Sequence, residues 1–537
     1  MLRQRFSLSS SALSTSSLAT GVLLTTAIVC HAAMFFSHKY NAFQNGTQNL
    51  FFNSDALQIP ALFEDVVTQG HSFRDWYLSP APFFFPDWAV YATAHLVGRT
   101  MQRAVCLVGV LQLLLTWFVL RHLFSGLFSK PASTAATNTS FGLLAILSLL
   151  EIKPAAYSLV TVYHYGAFLS QLICLSCAIR IVRARENDSV GTWQVAIALI
   201  AFLTSLSDGL FVLQCVGPLI CALFYVWIRG QIPLRRLLCT VAPLLVASCV
   251  GLSLTNRVVP NLSAFHQSYS ASLSAFTGRQ FGAHLDQLVA INRRIFAAAW
   301  PVPVLAGVVY TGAFIACVGR WGRKWGGDDS PAFALIASAL VFEVPILVIP
   351  SLLNNHLNLG ERYFLSLYLA PCVLCPAFLA MLRTRMPRLA VQRLAPTVSI
   401  AGAVLLVLVL RPFGSWHETF YPREVRMIDR VAAERGLHRG MSTYWLAKYT
   451  TMLSRRGIVM AQVASHDLKA FNWIATRRWS RNPVDFVVFD NLPDNNSPEM
   501  SQADVRTRLG DPRHVVSGQE ITIWTYDRGA IPPRQRE

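Results

Sequence analysis

The chain has few charged residues, and this shortage decides its broad class. Only 14% of its 537 residues are Asp, Glu, Lys or Arg, whereas soluble domains carry about a quarter. Hydrophobic residues make up 53% of the chain, and the mean hydropathy is +0.42. So much apolar sequence needs lipid to cover it, which excludes an ordinary soluble protein and predicts an integral membrane protein.

Several functional motifs are also missing. The sequence contains no GxxxxGK[ST] phosphate loop, no HExxH zinc motif and no GxSxG nucleophile elbow, so nucleotide hydrolysis, zinc proteolysis and serine hydrolysis have no support. The net charge is +18, but the Lys and Arg residues are dispersed between apolar runs and form no basic stripe. We therefore expect no nucleic-acid partner.

Cysteine is absent from the C-terminal part of the chain, and all eleven cysteines lie in apolar runs. A disulfide framework is not expected from this distribution. The pairs Cys174 with Cys177 and Cys372 with Cys375 have redox or zinc spacing. Each pair falls in the middle of an apolar segment without neighbouring His or carboxylate ligands, so we expect membrane packing.

Apolar segments that could cross a bilayer recur along the chain, although several are shorter than the usual twenty or so residues. The first could pass for a signal peptide, but its apolar character continues to residue 36, which favours an uncleaved helix. The predicted spans are residues 18–36, 104–120, 141–152, 157–179, 193–206, 210–228, 237–254, 302–318, 332–349, 364–382 and 398–410.

Basic residues alternate between the two sides of these spans, as expected when short cationic loops stay in the cytoplasm. The cytoplasmic clusters are Arg3 and Arg5; Arg121 and Lys130; Arg180, Arg183 and Arg185; Arg229, Arg235 and Arg236; Arg320, Arg323 and Lys324; and Arg383, Arg385, Arg388 and Arg393. The pattern predicts a mainly α polytopic bundle of about 11 helices, with its N-terminus inside and its C-terminus outside. We expect a bacterial inner membrane and a periplasmic C-terminus.

Three segments on the predicted outer side are long enough to build structure. In the first loop segment, residues 38–103, stretch 56–67 has apolar residues at helical spacing and aromatic clusters follow, which predicts surface helices. The second loop segment comprises residues 255–301. After the membrane region, residues 1–411, the tail at 412–537 predicts a small α/β domain, with helices at 425–435 and 444–455 and strands at 484–489 and 521–526.

Asp55 is the first candidate for chemistry. It follows the first predicted span by a short polar linker and precedes the periodic stretch 56–67, so it is expected at the membrane interface. A carboxylate there can take the proton from an acceptor hydroxyl, because sugar hydroxyls are poor nucleophiles until deprotonated. The same position suits a helix N-cap formed by Ser54 or Asp55. Both interpretations stay open, and capping does not exclude catalysis.

Arg362 is the second candidate, at the outer end of the tenth predicted span. A guanidinium at headgroup level can grip a lipid-linked phosphate through two parallel N–H groups and stabilise it as a leaving group. The alternative is an interfacial anchor or an ion pair with the neighbouring Glu361.

Other ionisable or polar side chains on the same side have simpler structural explanations. Asp208 opens the sixth span and suits a helix cap, with a donor-site contact as the alternative. His164 lies between two tyrosines and suits a packing role in the fourth span. The remaining candidates for acid chemistry or for lining a pocket are Glu64, Asp65, Asp87, His356, Glu361 and Tyr363.

Together these features resemble the GT-C class of polytopic glycosyltransferases, which use polyprenyl-phosphate-linked sugars. The resemblance rests on the acidic first loop segment, which runs from Asn53-Ser54-Asp55 to Asp87, and on the C-terminal outer domain. It also rests on residues 361–371, which are similar to the Arg-Tyr-x-Leu-Pro-x-Tyr stretch that opens a late helix in that class.

The chain departs from the GT-C pattern in two ways. Its first-loop acid is a lone Asp55 rather than the Asp-Glu pair of some members, and Ser366 stands where Pro is expected. The first departure leaves three alternative bases in the same segment, namely Glu64, Asp65 and Asp87.

The resemblance implies a glycosyltransferase with Asp55 as general base and Arg362 on the donor phosphate. A hexosyl or pentosyl group would pass from a polyprenyl-phosphate carrier to a glycan, lipid or protein acceptor at the outer surface of the bilayer. A divalent cation, Mg²⁺ or Mn²⁺, can assist such a reaction, but no metal-ligand cluster in the sequence specifies one.

Two other functions stay open. A transporter or flippase for lipid-linked glycans predicts charged residues deep in several helices, whereas the candidates here gather on one face. A non-enzymatic envelope assembly protein predicts that Asp55 and Arg362 tolerate replacement while truncation after residue 411 abolishes function.

Overall fold

The structure is a computed structural model that describes residues 10–37, 49–185, 188–266, 277–318, 330–354, 359–383, 400–405, 407, 420–464, 467–491 and 500–527. Helices dominate it. Six are long and apolar enough to cross a membrane: Ser17–Phe36, Met101–Ser125, Tyr165–Arg183, Leu234–Leu262, Pro301–Val318 and Pro331–Leu353. Shorter apolar helices occupy Gly191–Ser207 and Val212–Ile228. The chain is therefore an integral membrane protein. The eleventh predicted span lies outside the described residues, apart from 400–405 and 407.

The α-helices are numbered in chain order. Those up to the second loop segment are α1 (Ser10–Phe36), α2 (Gln58–Phe63), α3 (Ala89–Gly98), α4 (Met101–Ser125), α5 (Lys130–Leu149), α6 (Tyr165–Arg183), α7 (Gly191–Ser207), α8 (Gly217–Ile228), α9 (Leu234–Arg257) and α10 (Val259–Leu262). Those that follow are α11 (Phe281–Ala299), α12 (Pro301–Val318), α13 (Ser330–Leu353), α14 (Leu365–Arg383), α15 (Arg423–Arg435), α16 (Tyr444–Leu453), α17 (Arg477–Ser480) and α18 (Gln502–Leu509).

Short helical turns of other types connect these elements. The 3₁₀ turns are Phe73–Asp75, Ala155–Leu159 and Glu361–Phe364, and the π turns are Glu64–Thr68, Phe84–Trp88 and Val212–Val216. Each of the three π turns adjoins an α-helix: the first follows α2, the second precedes α3 and the third precedes α8.

Local sequence explains where α4 begins and how closely α7 and α9 pack. The Thr100 side chain accepts a hydrogen bond from the Arg103 amide and so caps α4. In the membrane region α7 packs against α9, and α8 packs against α13. Gly251 in α9 permits the first contact, because a Cβ there would lie 2.6 Å from the Phe202 carbonyl oxygen.

A small sheet joins three distant parts of the chain. Strand β1 (Trp76–Leu78) pairs in parallel with β2 (Phe265–His266) and antiparallel with β5 (Ala475–Thr476). One strand comes from each of the two loop segments and one from the C-terminal tail. All three segments therefore lie on the same side of the bilayer.

The C-terminal tail contains a five-stranded sheet of order β4-β3-β6-β8-β7. Its strands are β3 (Arg439–Ser442), β4 (Val459–Gln462), β6 (Phe486–Asp490), β7 (His514–Ser517) and β8 (Ile521–Thr525). Strand β3 is parallel to both of its neighbours, and the other pairs are antiparallel. The predicted fold class, a membrane helical bundle with a small C-terminal α/β region, is confirmed.

Two local predictions differ from the structure. The stretch 56–67 forms a short helix, α2, whose six residues are all buried inside the protein rather than lying on the membrane surface. The helix of the predicted fourth span begins at Tyr165, eight residues after the predicted start at residue 157. Before it, Val162, Tyr163 and His164 all have positive φ, between 44° and 70°, which a helix cannot accommodate.

Candidate active site

A cavity of about 330 Å³ opens where the first loop segment, the turn before α14 and the C-terminal domain meet. Its wall combines several charged groups with tyrosine, tryptophan and aliphatic side chains. The charged residues that line it are Asp55, Glu151, Lys153, Glu361 and Arg362. Both leading candidates from the sequence therefore lie on the wall of one cavity.

Asp55 and Arg362 form an ion pair, with Arg362 Nη1 donating to Asp55 Oδ2 at 2.9 Å. The second carboxylate oxygen, Oδ1, accepts a hydrogen bond of 2.5 Å from the Tyr444 hydroxyl. The Asp55 side chain is 18% exposed and the Arg362 side chain is 35% exposed, so solvent and a ligand can both reach the ion pair.

The Asn53 side chain caps the turn that carries Asp55, and the Asp55 carboxylate does not. The Asn53 side chain accepts from the Ala56 amide at 2.8 Å, and the Ser54 hydroxyl donates to the Tyr444 carbonyl at 2.8 Å. Helix α2 begins only after Leu57 and has no side-chain cap. The N-cap interpretation of Asp55 is thus wrong, and its carboxylate is available to the cavity.

Arg362 lies in the 3₁₀ turn Glu361–Phe364, immediately before α14. Its guanidinium carbon is 5.2 Å from the Tyr363 ring centroid and 6.0 Å from that of Tyr163. Cation–π contacts of this kind orient a guanidinium without neutralising it.

The expected alternative, an ion pair between Arg362 and Glu361, does not form. Glu361 instead lies 3.7 Å from the Lys153 ammonium and 3.7 Å from the Arg294 guanidinium. It also accepts from the Tyr157 hydroxyl at 3.4 Å. The cavity rim therefore brings together several cations from separate parts of the membrane region.

A buried network behind the cavity holds the left-handed turn in place. His164 Nδ1 lies 2.6 Å from Asp208 Oδ2, and Asp87 Oδ1 accepts from the Val162 amide at 2.9 Å. These contacts stabilise a strained backbone and let the Tyr163 hydroxyl donate to Asn53 at 2.8 Å. Asp208 also accepts from the Leu210 amide, as expected of a helix cap.

Asp87 belongs to this network and does not line the cavity. Burial raises the pKa of its carboxyl to about 7, and the neighbouring Asp208 charge adds to the effect, while the Val162 amide opposes it. The group is 2% exposed, so an acceptor hydroxyl cannot reach it from solvent in this conformation.

The other acids of the first loop segment also lie away from the cavity. Asp65 accepts from Trp76 Nε1 and from Arg478 Nη1, both at 2.7 Å, and pairs with His71 at 3.0 Å. It thereby ties the segment to the C-terminal domain. Glu64 opens a π turn and is not among the residues lining the cavity. His356 lies outside the described residues, and Tyr363 lines the cavity.

Sequence reasoning did not identify which residues of the C-terminal domain reach the cavity. Tyr444 contacts Asp55, Trp445 lines the cavity, and the Lys448 ammonium donates to the Ser54 carbonyl at 2.9 Å. One signal was available, because Lys448 falls among apolar residues on the buried face of α16. A lysine in that pattern needs a partner from elsewhere in the fold.

The described part of the chain contains no disulfide bond and no cluster of metal ligands. All eleven cysteines are free, and both CxxC pairs lie within helices, in α6 and α14. No group of three or more His, Cys, Asp or Glu side chains that could hold a metal ion occurs among these residues.

Comparison with known proteins gives no relative by sequence, since no family model and no curated protein match the chain. Among solved structures, ArnT from Cupriavidus metallidurans, bound to undecaprenyl phosphate, is 13% identical with a TM-score of 0.48, over 96% of this chain and 99% of that one. The apo oligosaccharyltransferase of Archaeoglobus fulgidus is 11% identical with a TM-score of 0.45, over 89% and 69%. AglB from Archaeoglobus fulgidus, in complex with an inhibitory peptide and a dolichol-phosphate, is 12% identical with a TM-score of 0.43, over 90% and 69%.

Proposed function

We propose that the chain is a GT-C membrane glycosyltransferase that moves a sugar from a polyprenyl-phosphate carrier to an acceptor at the outer face of the membrane. One observation carries the proposal. Asp55 and Arg362, which are 307 positions apart, meet at 2.9 Å on the wall of a solvent-accessible cavity. A base for the attacking hydroxyl and a cation for the departing phosphate are the two groups that glycosyl transfer needs.

In the proposed reaction, Asp55 takes the proton of an acceptor hydroxyl whose oxygen attacks the anomeric carbon of the donor sugar. The bond between that carbon and the phosphate oxygen breaks, and its electron pair leaves with the polyprenyl phosphate. Arg362 stabilises the charge that develops on the leaving group. A single displacement of this kind inverts the anomeric configuration, and Asp55 then returns its proton to water.

The position of the cations supports a lipid-linked donor. Arg362 precedes α14 directly, and Lys153 lies on the same cavity wall. A phosphate at the headgroup level of the bilayer can reach both while its polyprenyl chain stays between helices. The acceptor would approach from the aqueous side, over Asp55 and the C-terminal domain.

Mass analysis of cell-envelope glycans tests the proposal. A strain of the source organism that lacks the protein should lose one sugar increment from an envelope glycan, lipid or protein, and the wild-type gene should restore it. Asp55→Asn should express normally and fail to restore the increment. Glu64→Gln, which changes an acid of the same segment outside the cavity, serves as the matched control and should restore it.

The same comparison separates the alternatives. Restoration by Asp55→Asn at wild-type level refutes the assignment of the base. If both Asp55→Asn and Arg362→Met restore the glycan while truncation after residue 411 does not, the chain is an assembly protein. A lost increment that accumulates as lipid-linked sugar on the cytoplasmic face indicates a flippase.

A further inference from the structure

Helix α16 of the C-terminal domain touches the carboxylate of the proposed base. The Tyr444 hydroxyl donates to Asp55 Oδ1 at 2.5 Å, and the Lys448 ammonium donates to the Ser54 carbonyl at 2.9 Å. We infer that Tyr444 and Lys448 are positioning residues, which keep the Asp55 carboxylate in its orientation when Arg362 turns to the donor phosphate. This inference rests on the proposed function.

The two oxygens of Asp55 have different partners, and this difference gives them different roles. Oδ1 is bound by Tyr444 and Oδ2 by Arg362. When the donor phosphate draws Arg362 away, Oδ2 becomes free to accept the proton of the acceptor hydroxyl, while Oδ1 stays fixed. Burial and the Asp55 charge raise the pKa of the Tyr444 phenol well above its ordinary value, so Tyr444 remains a hydrogen-bond donor throughout.

Lys448 is difficult to explain by stability alone. Its side chain is fully buried, and within the described parts of the chain its ammonium has one hydrogen-bond acceptor, the Ser54 carbonyl. It also lies 4.8 Å from the Tyr444 ring centroid. Burial lowers the pKa of Lys448 to about 7, and the Asp55 charge acts in the opposite direction. A buried lysine with so few hydrogen-bond partners costs stability, which points to a role beside Asp55.

The interface that brings α16 to the site involves many contacts. The Ser54 hydroxyl donates to the carbonyls of Tyr444 and Trp445, at 2.8 and 3.0 Å. The pairing of β1 with β5 and the Asp65–Arg478 ion pair of 2.7 Å lie in the same interface. Tyr444 therefore reaches Asp55 from a docked domain, so its position is set by the fold.

Three single variants of the full-length protein in membranes test the inference. Tyr444→Phe removes the hydroxyl, Lys448→Met removes the charge and keeps much of the volume, and Tyr421→Phe is the matched control. Tyr421 also donates to a carboxylate of the C-terminal domain, Asp429, at 2.7 Å. Turnover is followed as formation of the sugar increment found by mass analysis, with binding of undecaprenyl phosphate and the melting temperature measured in parallel.

We expect Tyr444→Phe to lower turnover by about tenfold, as for the loss of one hydrogen bond to a charged group, and to leave undecaprenyl phosphate binding unchanged. Tyr421→Phe should keep wild-type turnover. Lys448→Met should also lower turnover by about tenfold yet melt no lower than the wild type, because it removes a buried charge. A purely structural lysine would give the reverse, a lower melting temperature.

Wild-type turnover in Tyr444→Phe overturns the inference, as does a Lys448→Met variant whose turnover falls only with its folded fraction. Asp55→Asn, measured beside them, separates this failure from a failure of the proposed function. If Asp55→Asn is inactive while Tyr444→Phe is fully active, only the positioning role is wrong. If Asp55→Asn also transfers sugar at the wild-type rate, the proposed base is wrong.

Discussion

Arg362 Nη1 lies 2.9 Å from Asp55 Oδ2, so the proposed phosphate ligand is paired with the proposed base. Neither group can act while this contact persists, because the base needs Oδ2 free and the phosphate needs the guanidinium free. A donor phosphate competes with the Asp55 carboxylate for Arg362. Donor binding therefore frees the Asp55 carboxylate to act as a base. The binding of the donor and the binding of the acceptor are thus coupled through one free energy.

Asp55→Asn should bind the lipid donor more tightly than the wild type although it transfers no sugar. Without the carboxylate, Arg362 no longer has to leave an ion pair when the phosphate arrives. A partly exposed pair contributes up to about 1 kcal/mol, which corresponds to roughly fivefold tighter binding. Titration of the purified protein with undecaprenyl phosphate measures this, with Glu64→Gln as the control. Weaker binding by Asp55→Asn would contradict the competition.

Arg362→Lys should keep the charge yet lose most of the function of the guanidinium. Lysine is a point charge and cannot form two parallel hydrogen bonds to a phosphate. It also lacks the flat surface that contacts the Tyr163 and Tyr363 rings. We expect at least about tenfold slower transfer from the loss of a bidentate contact, and a larger loss in Arg362→Met. Equal rates for Arg362→Lys and the wild type would show that Arg362 acts only as a diffuse charge.

Asp87→Asn should stabilise the protein at alkaline pH and leave transfer intact. The pKa of Asp87 is raised from 3.8 to about 7 by burial. The folded chain therefore holds a proton that the unfolded chain releases, and the stability associated with Asp87 is lost as the pH rises from about 4 to 7. Each pKa unit corresponds to about 1.4 kcal/mol.

An Asn side chain does not titrate and can still accept from the Val162 amide. The melting temperature of Asp87→Asn should match that of the wild type near pH 4 and exceed it by an increasing margin up to pH 8. Loss of sugar transfer in this variant, at a pH where it is fully folded, would instead favour Asp87 as the base.

Val162→Gly should destabilise the fold less than Val160→Gly. Both valines are buried, at 3% and 2% exposure, so each substitution loses similar apolar contact. Val162 has a φ of +70°, which costs a β-branched residue about 1–2 kcal/mol and glycine nothing. Val160 has an extended φ of −134°. Thermal unfolding of the two variants measures the difference, and equal losses would indicate an unstrained turn.

Local patterns predicted much of the fold and the identity of the two leading candidates. Apolar runs and helical or alternating periodicity led to the membrane region and to the helices and strands of the tail. The start of α6 was wrong because buried contacts of Asp87 and His164 stabilise a turn that local preference disfavours. No local pattern relates Tyr444 to Asp55, 389 positions earlier. Such a contact exists only once the domains have docked.

The three-stranded sheet also has a consequence for how the protein is made. Strand β5 follows β1 by about 400 residues, and ribosomes add about 5–20 residues each second. Trp76 is fully buried in the folded protein. Strand β1 is thus synthesised roughly 20 to 80 s before β5, its last partner. During that interval the nascent first loop segment offers an unpaired strand edge to proteases and to neighbouring chains. The last neighbour of β1 is therefore added only after translation has passed residue 476.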